Sequence, residues 1–359
     1  MRGSNKILVA LLIAAVFAVP IAATISTHES DGSSGFTSYY DQLDANGKAI
    51  FDALNSADAD TTSIVVDLPI ILTAHASDPI DAEGYVSDLI TSTVGNAFKA
   101  LRLSSPLAFW GWTPSSVPFS PWNNTDLTIT GNTATITTVS LQVSFGDYPV
   151  DPNTKEFQGI EKMLDDLNAA IDKFSTSSTS LRGKVLDINN YLVNLVTYDP
   201  NAPGNDMSRY AHDAYGALVD PNHYAVCDGY SEAFLLLCEK EGIDCVIVLG
   251  TGLPNLENHA WNYVKMDDGK WYAIDVTWND DGNNDNPYFL DGGDTFFSTH
   301  QQGVFLTAGL MSYPFNSPAL SSTGYDVNTG NQDLYSWILA AIIVMVIVVV
   351  LYRYARNGS

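Results

Sequence analysis

Apolar and polar positions along the chain change period several times, and each change predicts an element. Tyr39, Tyr40, Leu43, Ile50, Phe51 and Leu54 recur near the helical repeat, which predicts a first helix over residues 36–57. The β-branched run Ser63 to Thr73 reads as a strand, and Ala82 to Leu101 returns to helical spacing. Residues 126–145 alternate Leu, Ile and Val with Thr around Gly131-Asn132, which is hairpin chemistry. Two helices, near 155–174 and 180–196, precede a loop from Tyr198 to Arg209 with two prolines and Gly204. A further helix is expected to open at Cys227, bury Phe234 to Leu237 and stop at Gly242; Cys245 to Leu249 then reads as a strand.

The ends carry a different pattern. Arg2 and Lys6 precede the apolar run Ile7 to Val19, followed by Pro20, Ala22 and Ala23, so residues 1–25 read as a signal peptide or an uncleaved N-terminal anchor. A Ser/Gly-rich spacer covers 26–35. Leu334 to Tyr352 has no formal charge, is dense in Ile and Val, and carries Trp337 and Tyr352 near its edges, which predicts a C-terminal transmembrane helix; a buried core helix is the alternative. Arg353 and Arg356 then place the 353–359 tail in the cytoplasm and everything between the two segments outside the cell. The resulting organisation is an N-terminal α/β region at 36–178, a second domain at 179–320, a linker at 321–333 and a single span in the cell membrane.

Composition narrows the partners. The apolar fraction of 46% is that of a folded chain. The net charge of −25 argues against nucleic acid or anionic headgroups and for a solvated acidic surface, with a cationic ligand as the weaker alternative. Three cysteines cannot form a disulfide framework for an outward-facing domain of this size. Cys238 and Cys245 read as buried small hydrophobes, a bridge between them being the alternative, and Cys227 is left unpaired either way. The aromatic, proline-rich stretch Phe109 to Trp122 is either a carbohydrate or peptide platform or a loop packing its rings on the core; Asn123-Asn124-Thr125 is a glycosylation sequon.

Candidate chemistry concentrates in the second domain. In chain order Cys227, His259 and Asp275 supply a nucleophile, a base and a carboxylate to orient the base. Cys227 stands where a loop becomes a helix, so the helix dipole favours a thiolate there and its backbone N–H is a natural oxyanion donor. The second donor is open, with His223-Tyr224 a guess. Tyr224, Tyr230, Trp261 and Trp278 are the oxyanion or substrate-cleft candidates. Register decides whether His259 and Asp275 meet. A two-residue Asp268-Gly269 turn would put them on opposite faces. A three-residue loop with Gly269 left-handed pairs Met266 with Lys270, sets Asp275 against Trp261, and leaves His259 a diagonal neighbour roughly 7–8 Å away. Asp280 to Asp285 has the composition of a calcium loop without the terminal Glu, so it reads as a polar surface loop. No zinc-protease or phosphate-loop motif occurs, no metal and no cofactor are implied, and His212 and His300 receive no role.

Four ordered motifs carry a family resemblance: Ala214-Tyr215-Gly216-Ala217-Leu218, the run Val226 to Phe234, His259-Ala260-Trp261-Asn262, and the run Trp271 to Trp278. Residues 191–290 resemble a transglutaminase-like domain, a branch of the papain-like cysteine hydrolases. The resemblance implies an α+β fold, with the Cys-bearing helix packed on an antiparallel sheet that bears His and Asp. It places the nucleophile on Cys227, the general base and acid on His259 and the orienting carboxylate on Asp275. The activity implied is a cell-surface amide hydrolase, a protease or deamidase, or a crosslinking acyltransferase working through a thioester. A catalytically silent peptide-binding or cell-envelope scaffold is the alternative. Expected partners are protein or peptide substrates at the cell surface and the lipid bilayer through 334–352, with no nucleic acid.

Overall fold

The computed structural model describes residues 36–56, 63–107, 126–142, 160–204, 206–282, 286–303 and 315–326, with Ile342 and Met345. The first helix, α1, spans Ala45–Asn55 and starts later than its apolar repeat predicts. The Asp44 side chain accepts from the Gly47 N–H at 2.6 Å and so sets the start, while Tyr39 is drawn into the interior by its hydroxyl bond to the Ile247 carbonyl at 2.6 Å. Strand β1 (Ser63–His75) follows, then α2 (Pro79–Ser104). Pro79 and the Asp78 cap start α2, and it buries Ala82, Val86, Ile90, Val94, Ala97 and Leu101 along one stripe. The expected hairpin is β2 (Thr128–Thr130) and β3 (Thr133–Gln142), turning at Gly131 with φ +58°. These strands form an antiparallel sheet in the order β1-β3-β2.

Helices α3 (Ile160–Lys173) and α4 (Leu181–Leu195) lead into the second region, and Met163 and Leu167 of α3 share a core with Ile188 and Leu192 of α4. Next come β4 (Thr197–Tyr198), α5 (Ala214–Leu218), β5 (Tyr224–Ala225) and α6 (Cys227–Lys240). Strands β6 (Cys245–Gly252), β7 (Glu257–Lys265) and β8 (Trp271–Ile274) precede the one-turn helix α7 (Val276–Asn279). Strand β9 (Phe289–Asp291), helix α8 (Gly293–Phe296) and strand β10 (His300–Gln302) complete the set. The larger sheet runs β10-β6-β7-β8-β9, every pair antiparallel.

Helix α6 is buried without interruption from Gly229 to Cys238. It lies on the sheet face that carries Val264 and Ile274, and Asn262 of β7 donates to the Ser231 carbonyl at 3.0 Å. Truncating a fully buried ring such as Phe234 in this layer costs about 3–5 kcal/mol. Gly229 is required by close approach, because a Cβ there would meet the Ala211 carbonyl oxygen at 2.6 Å. Gly242, at φ +70°, ends the helix and lets Ile243 N–H reach the Cys238 carbonyl at 2.9 Å. Leu235 of α6 and Ile247 of β6 also belong to the core of the first region, so the two regions share packing. The opposite sheet face holds Val248, Trp261, Tyr263 and Ala273 against Phe296.

Residues 321–325, read above as the start of a linker, run along the domain. Ser321 N–H reaches the Trp271 carbonyl at 2.9 Å, and the Tyr325 hydroxyl donates to Asp267 at 2.6 Å. Among the described residues no helix is long and apolar enough to cross a membrane. The expected span 334–352 lies outside the described residues except for Ile342 and Met345, and so do the leader 1–25, the spacer 26–35, the aromatic stretch 109–122 and the sequon. All three cysteines are free thiols, Cys238 buried and Cys245 half-buried beside it.

Candidate active site

The β7–β8 ladder pairs Lys265 with Trp271 and Asn262 with Ile274, which is the register of a three-residue loop. Gly269 is left-handed at φ +77°, its N–H reaches the Met266 carbonyl at 2.9 Å, and Met266 N–H reaches that of Lys270 at 2.9 Å. Asp275 differs in one respect from its expectation. The ladder stops at Ile274, and Asp275 caps α7, its Oδ1 accepting from the Trp278 N–H at 3.1 Å. The cap fixes one carboxylate oxygen and presents the other, Oδ2, to His259 Nε2 at 2.7 Å.

Cys227 is the first residue of α6, half-buried, behind an extended Val226 that offers no side-chain cap. Its thiol lies near His259 and, after Asp275, favours the protonated imidazole. Since Nε2 faces Asp275, Nδ1 is the ring nitrogen left for the sulfur. The structure therefore brings Cys227, His259 and Asp275 together as a linear chain.

A fourth member was missed in the sequence. His300, fully buried at the start of β10, directs its Nε2 to the same Oδ2 of Asp275 at 3.0 Å, and its Nδ1 lies 2.9 Å from Thr299 Oγ1. Ring contacts enclose these groups. Trp278 stacks on His259 at 4.8 Å and 23°, and Phe296 stacks on His300 at 3.8 Å and 10°. Burial alone would push the His259 imidazolium towards losing its proton, but the Asp275 charge and hydrogen bond, aided by Cys227, outweigh it and hold its pKa near 10. Burial likewise opposes the Asp275 charge, and the two histidines outweigh it, bringing its pKa to about 2. The pair is an imidazolium facing a carboxylate.

His259, Asp275 and His300 also converge closely enough to be considered as metal ligands. Their N···O separations of 2.7 and 3.0 Å are those of N–H···O bonds aimed at a single oxygen, and hydrogen bonding accounts for the arrangement.

The cleft candidates separate. Trp278 is half-buried over His259, and Tyr224 is half-buried in β5 beside Thr197. Trp261 and Tyr230 are corrections: both are fully buried, with no surface to offer a substrate. Trp261 backs His300 at 5.0 Å, and the Tyr230 hydroxyl bonds Asp280 at 2.5 Å. The His223 ring is turned to the Ala217 carbonyl at 2.9 Å. Tyr198, read above only as the loop's first residue, is 46% exposed; burial of its hydroxyl, with the Cys227 and Asp228 charges nearby, pushes its pKa up to about 12. Arg102, in a region that shows no catalytic cluster in the sequence, bonds Asp228 at 2.5 Å, next to Cys227.

Residues 167–276 match the model of the transglutaminase-like superfamily. The chain carries a transglutaminase-like domain. The match covers under a third of the chain; it contains Cys227, His259 and Asp275, and excludes Arg102 and His300. Among solved structures, the chain is similar to a crystal structure of a TGase at 21% identity over 45% of each chain, TM-score 0.28. It is also similar to a proposed cysteine protease from Cytophaga hutchinsonii at 14% identity, over 48% of this chain and 57% of that one, TM-score 0.26. The aligned part thus spans about half the length of these two structures. No curated protein matches the chain.

Proposed function

We propose that the protein is a cysteine-dependent amide hydrolase, tethered to the membrane by residues 334–352 with its transglutaminase-like domain outside the cell. The observation that carries the chemistry is His259, held between the buried Asp275 carboxylate at 2.7 Å and the Cys227 thiol. The Cys227 proton resides on His259 Nδ1, which makes the imidazolium described above, and the thiolate attacks an amide carbonyl carbon. The oxyanion faces the N-terminus of α6, where the Cys227 N–H donates to it. The imidazolium then protonates the departing amine, leaving a thioester on Cys227. Water, deprotonated by His259, cleaves the thioester and regenerates the thiol. A lysine amine in place of water would give a crosslink. We favour water, because an amine acceptor needs a second binding site. The tether rests on the apolar character of 334–352 and the following Arg353 and Arg356.

An amide-mimicking electrophile tests the reaction. It should label Cys227 and neither Cys238 nor Cys245, and Cys227→Ala and His259→Ala should each lower peptide-amide hydrolysis by at least about 10³-fold. Wild-type turnover in Cys227→Ala would remove the nucleophile and the reading with it.

A further inference from the structure

Helix α6 begins with the nucleophile and an acid. Asp228 directly follows Cys227, and a carboxylate there opposes formation of a second negative charge on the neighbouring sulfur. Its charge does not stand alone. Arg102, in the last turn of α2, reaches across from the N-terminal region, with Nη2 2.5 Å from Asp228 Oδ2 and 3.3 Å from the His212 carbonyl. Its Nε lies 3.2 Å from Glu232 Oε1, one helical turn beyond Asp228, so one guanidinium binds two acids on the same face of α6. His212 Nδ1 adds a contact to Asp228 at 2.8 Å. The second Glu232 oxygen accepts from the Ala214 N–H at 3.1 Å. This cluster joins three parts of the chain at the end of the helix that presents Cys227.

We propose that Arg102 is a positioning residue for Cys227, cancelling the Asp228 charge so that the N-terminus of α6 stays electropositive where the thiolate forms. The N-terminal region thereby completes the electrostatics of a site that lies in another part of the fold. The inference rests on Cys227 being the nucleophile. The other titratable groups around the sulfur are His259 from β7 and Tyr198 from β4, with Glu257 beyond Tyr198. Around Asp228, Asp213 adds negative charge, Glu232 adds it as pH rises through about 7, where burial has pushed its pKa, and His212 can add positive charge.

The prediction is one of sign. The pH dependence of Cys227 alkylation by iodoacetamide, read on the Cys227 peptide by mass spectrometry, reports thiolate formation in the full chain without any substrate. Arg102→Met keeps the aliphatic stem, exposes Cys227 to the Asp228 charge, and should move the midpoint up by roughly 0.5–1 pH unit. His212 can gain a proton and mask part of this, so Arg102→Met with His212→Gln should move it further. Asp228→Asn removes the opposing charge and should move the midpoint down. A packing role alone would not produce shifts of opposite sign. Folded variants that leave the midpoint in place, or move it in the same direction, overturn the inference. If Arg102→Met fails to fold, Asp228→Asn decides: a downward shift supports the proposal, and no shift or an upward one sinks it. His259→Ala separates this from the proposed function. A Cys227 profile indifferent to His259 removes the nucleophile reading; a profile that responds to His259 but to neither Arg102 nor Asp228 removes only the role of Arg102.

Discussion

At the scale of single residues the site depends on one buried oxygen. Asp275 Oδ2 accepts from both His259 and His300, while Oδ1 is spent on capping α7. His259 has a folded-state pKa raised from 6.5 to about 10, so its stabilising contribution is present below pH 6.5 and is lost as pH rises through 10. Asp275 is depressed from 3.8 to about 2, so its contribution is present above pH 3.8 and is lost as pH falls through 2. Thermal denaturation across pH should therefore show the largest gap between wild type and Asp275→Asn between about pH 4 and 6.5, narrowing on both sides. A gap independent of pH would mean that the pair is not ionised as described. His300→Phe keeps a ring to stack on Phe296 and removes one hydrogen bond from Asp275; kcat should fall about 10-fold with KM little changed. An unchanged kcat would reduce His300 to packing. Cys227, His259 and Asp275 could be read in advance because each sits in a distinctive local run, whereas His300 follows only Ser298-Thr299. Its role arises when β10 pairs with β6 and sets His300 beside Gly252.

At the scale of elements the β7–β8 hairpin shows what a turn can decide. Side chains alternate faces with period two, so a one-residue change in loop length moves every following side chain to the other face. Asp267-Asp268-Gly269 could be read correctly because glycine offers the left-handed conformation that the three-residue loop needs. Deleting Asp268 should reset Lys270 against Asp267 and turn Asp275 away from His259. Activity should be lost and stability should fall by more than about 3 kcal/mol, since flipping β8 exchanges Tyr272 and Ile274 with Trp271 and Ala273 between two packed faces and also removes the Asp268 contacts to Tyr272 and the Lys270 N–H. Gly269→Ala is the control: space for the methyl exists, φ +77° costs about 1 kcal/mol, and activity should survive. Full activity in the deletion would show that the loop does not set the dyad. Burial of Trp261 and Tyr230 was less legible. Both lie in family-like runs that draw attention to function, yet their rings fill the two sides of the sheet and helix that hold the histidines and Cys227.

At the scale of the whole molecule, the long-range contact from Arg102 to Asp228 could not be anticipated, because nothing local in α2 announces a partner 126 residues away. Hydropathy, in contrast, is what the proposed placement rests on. In the proposed topology Leu334 to Tyr352 crosses the bilayer, with Arg353 and Arg356 keeping the following tail, and Arg2 and Lys6 the N-terminus, on the cytoplasmic side. The intervening residues, which carry all 41 acidic side chains, would then face the exterior, where an acidic surface remains solvated. Protease added to intact cells should degrade the region 36–333 and spare a tag placed after Ser359. Digestion of the tag together with the domain would reverse the orientation, and a domain resistant until the cells are lysed would place it inside. Replacing Arg353 and Arg356 with glutamine should weaken the orientation and leave some tags accessible, because the bias comes from the basic residues flanking the span and the apolar stretch itself has no direction.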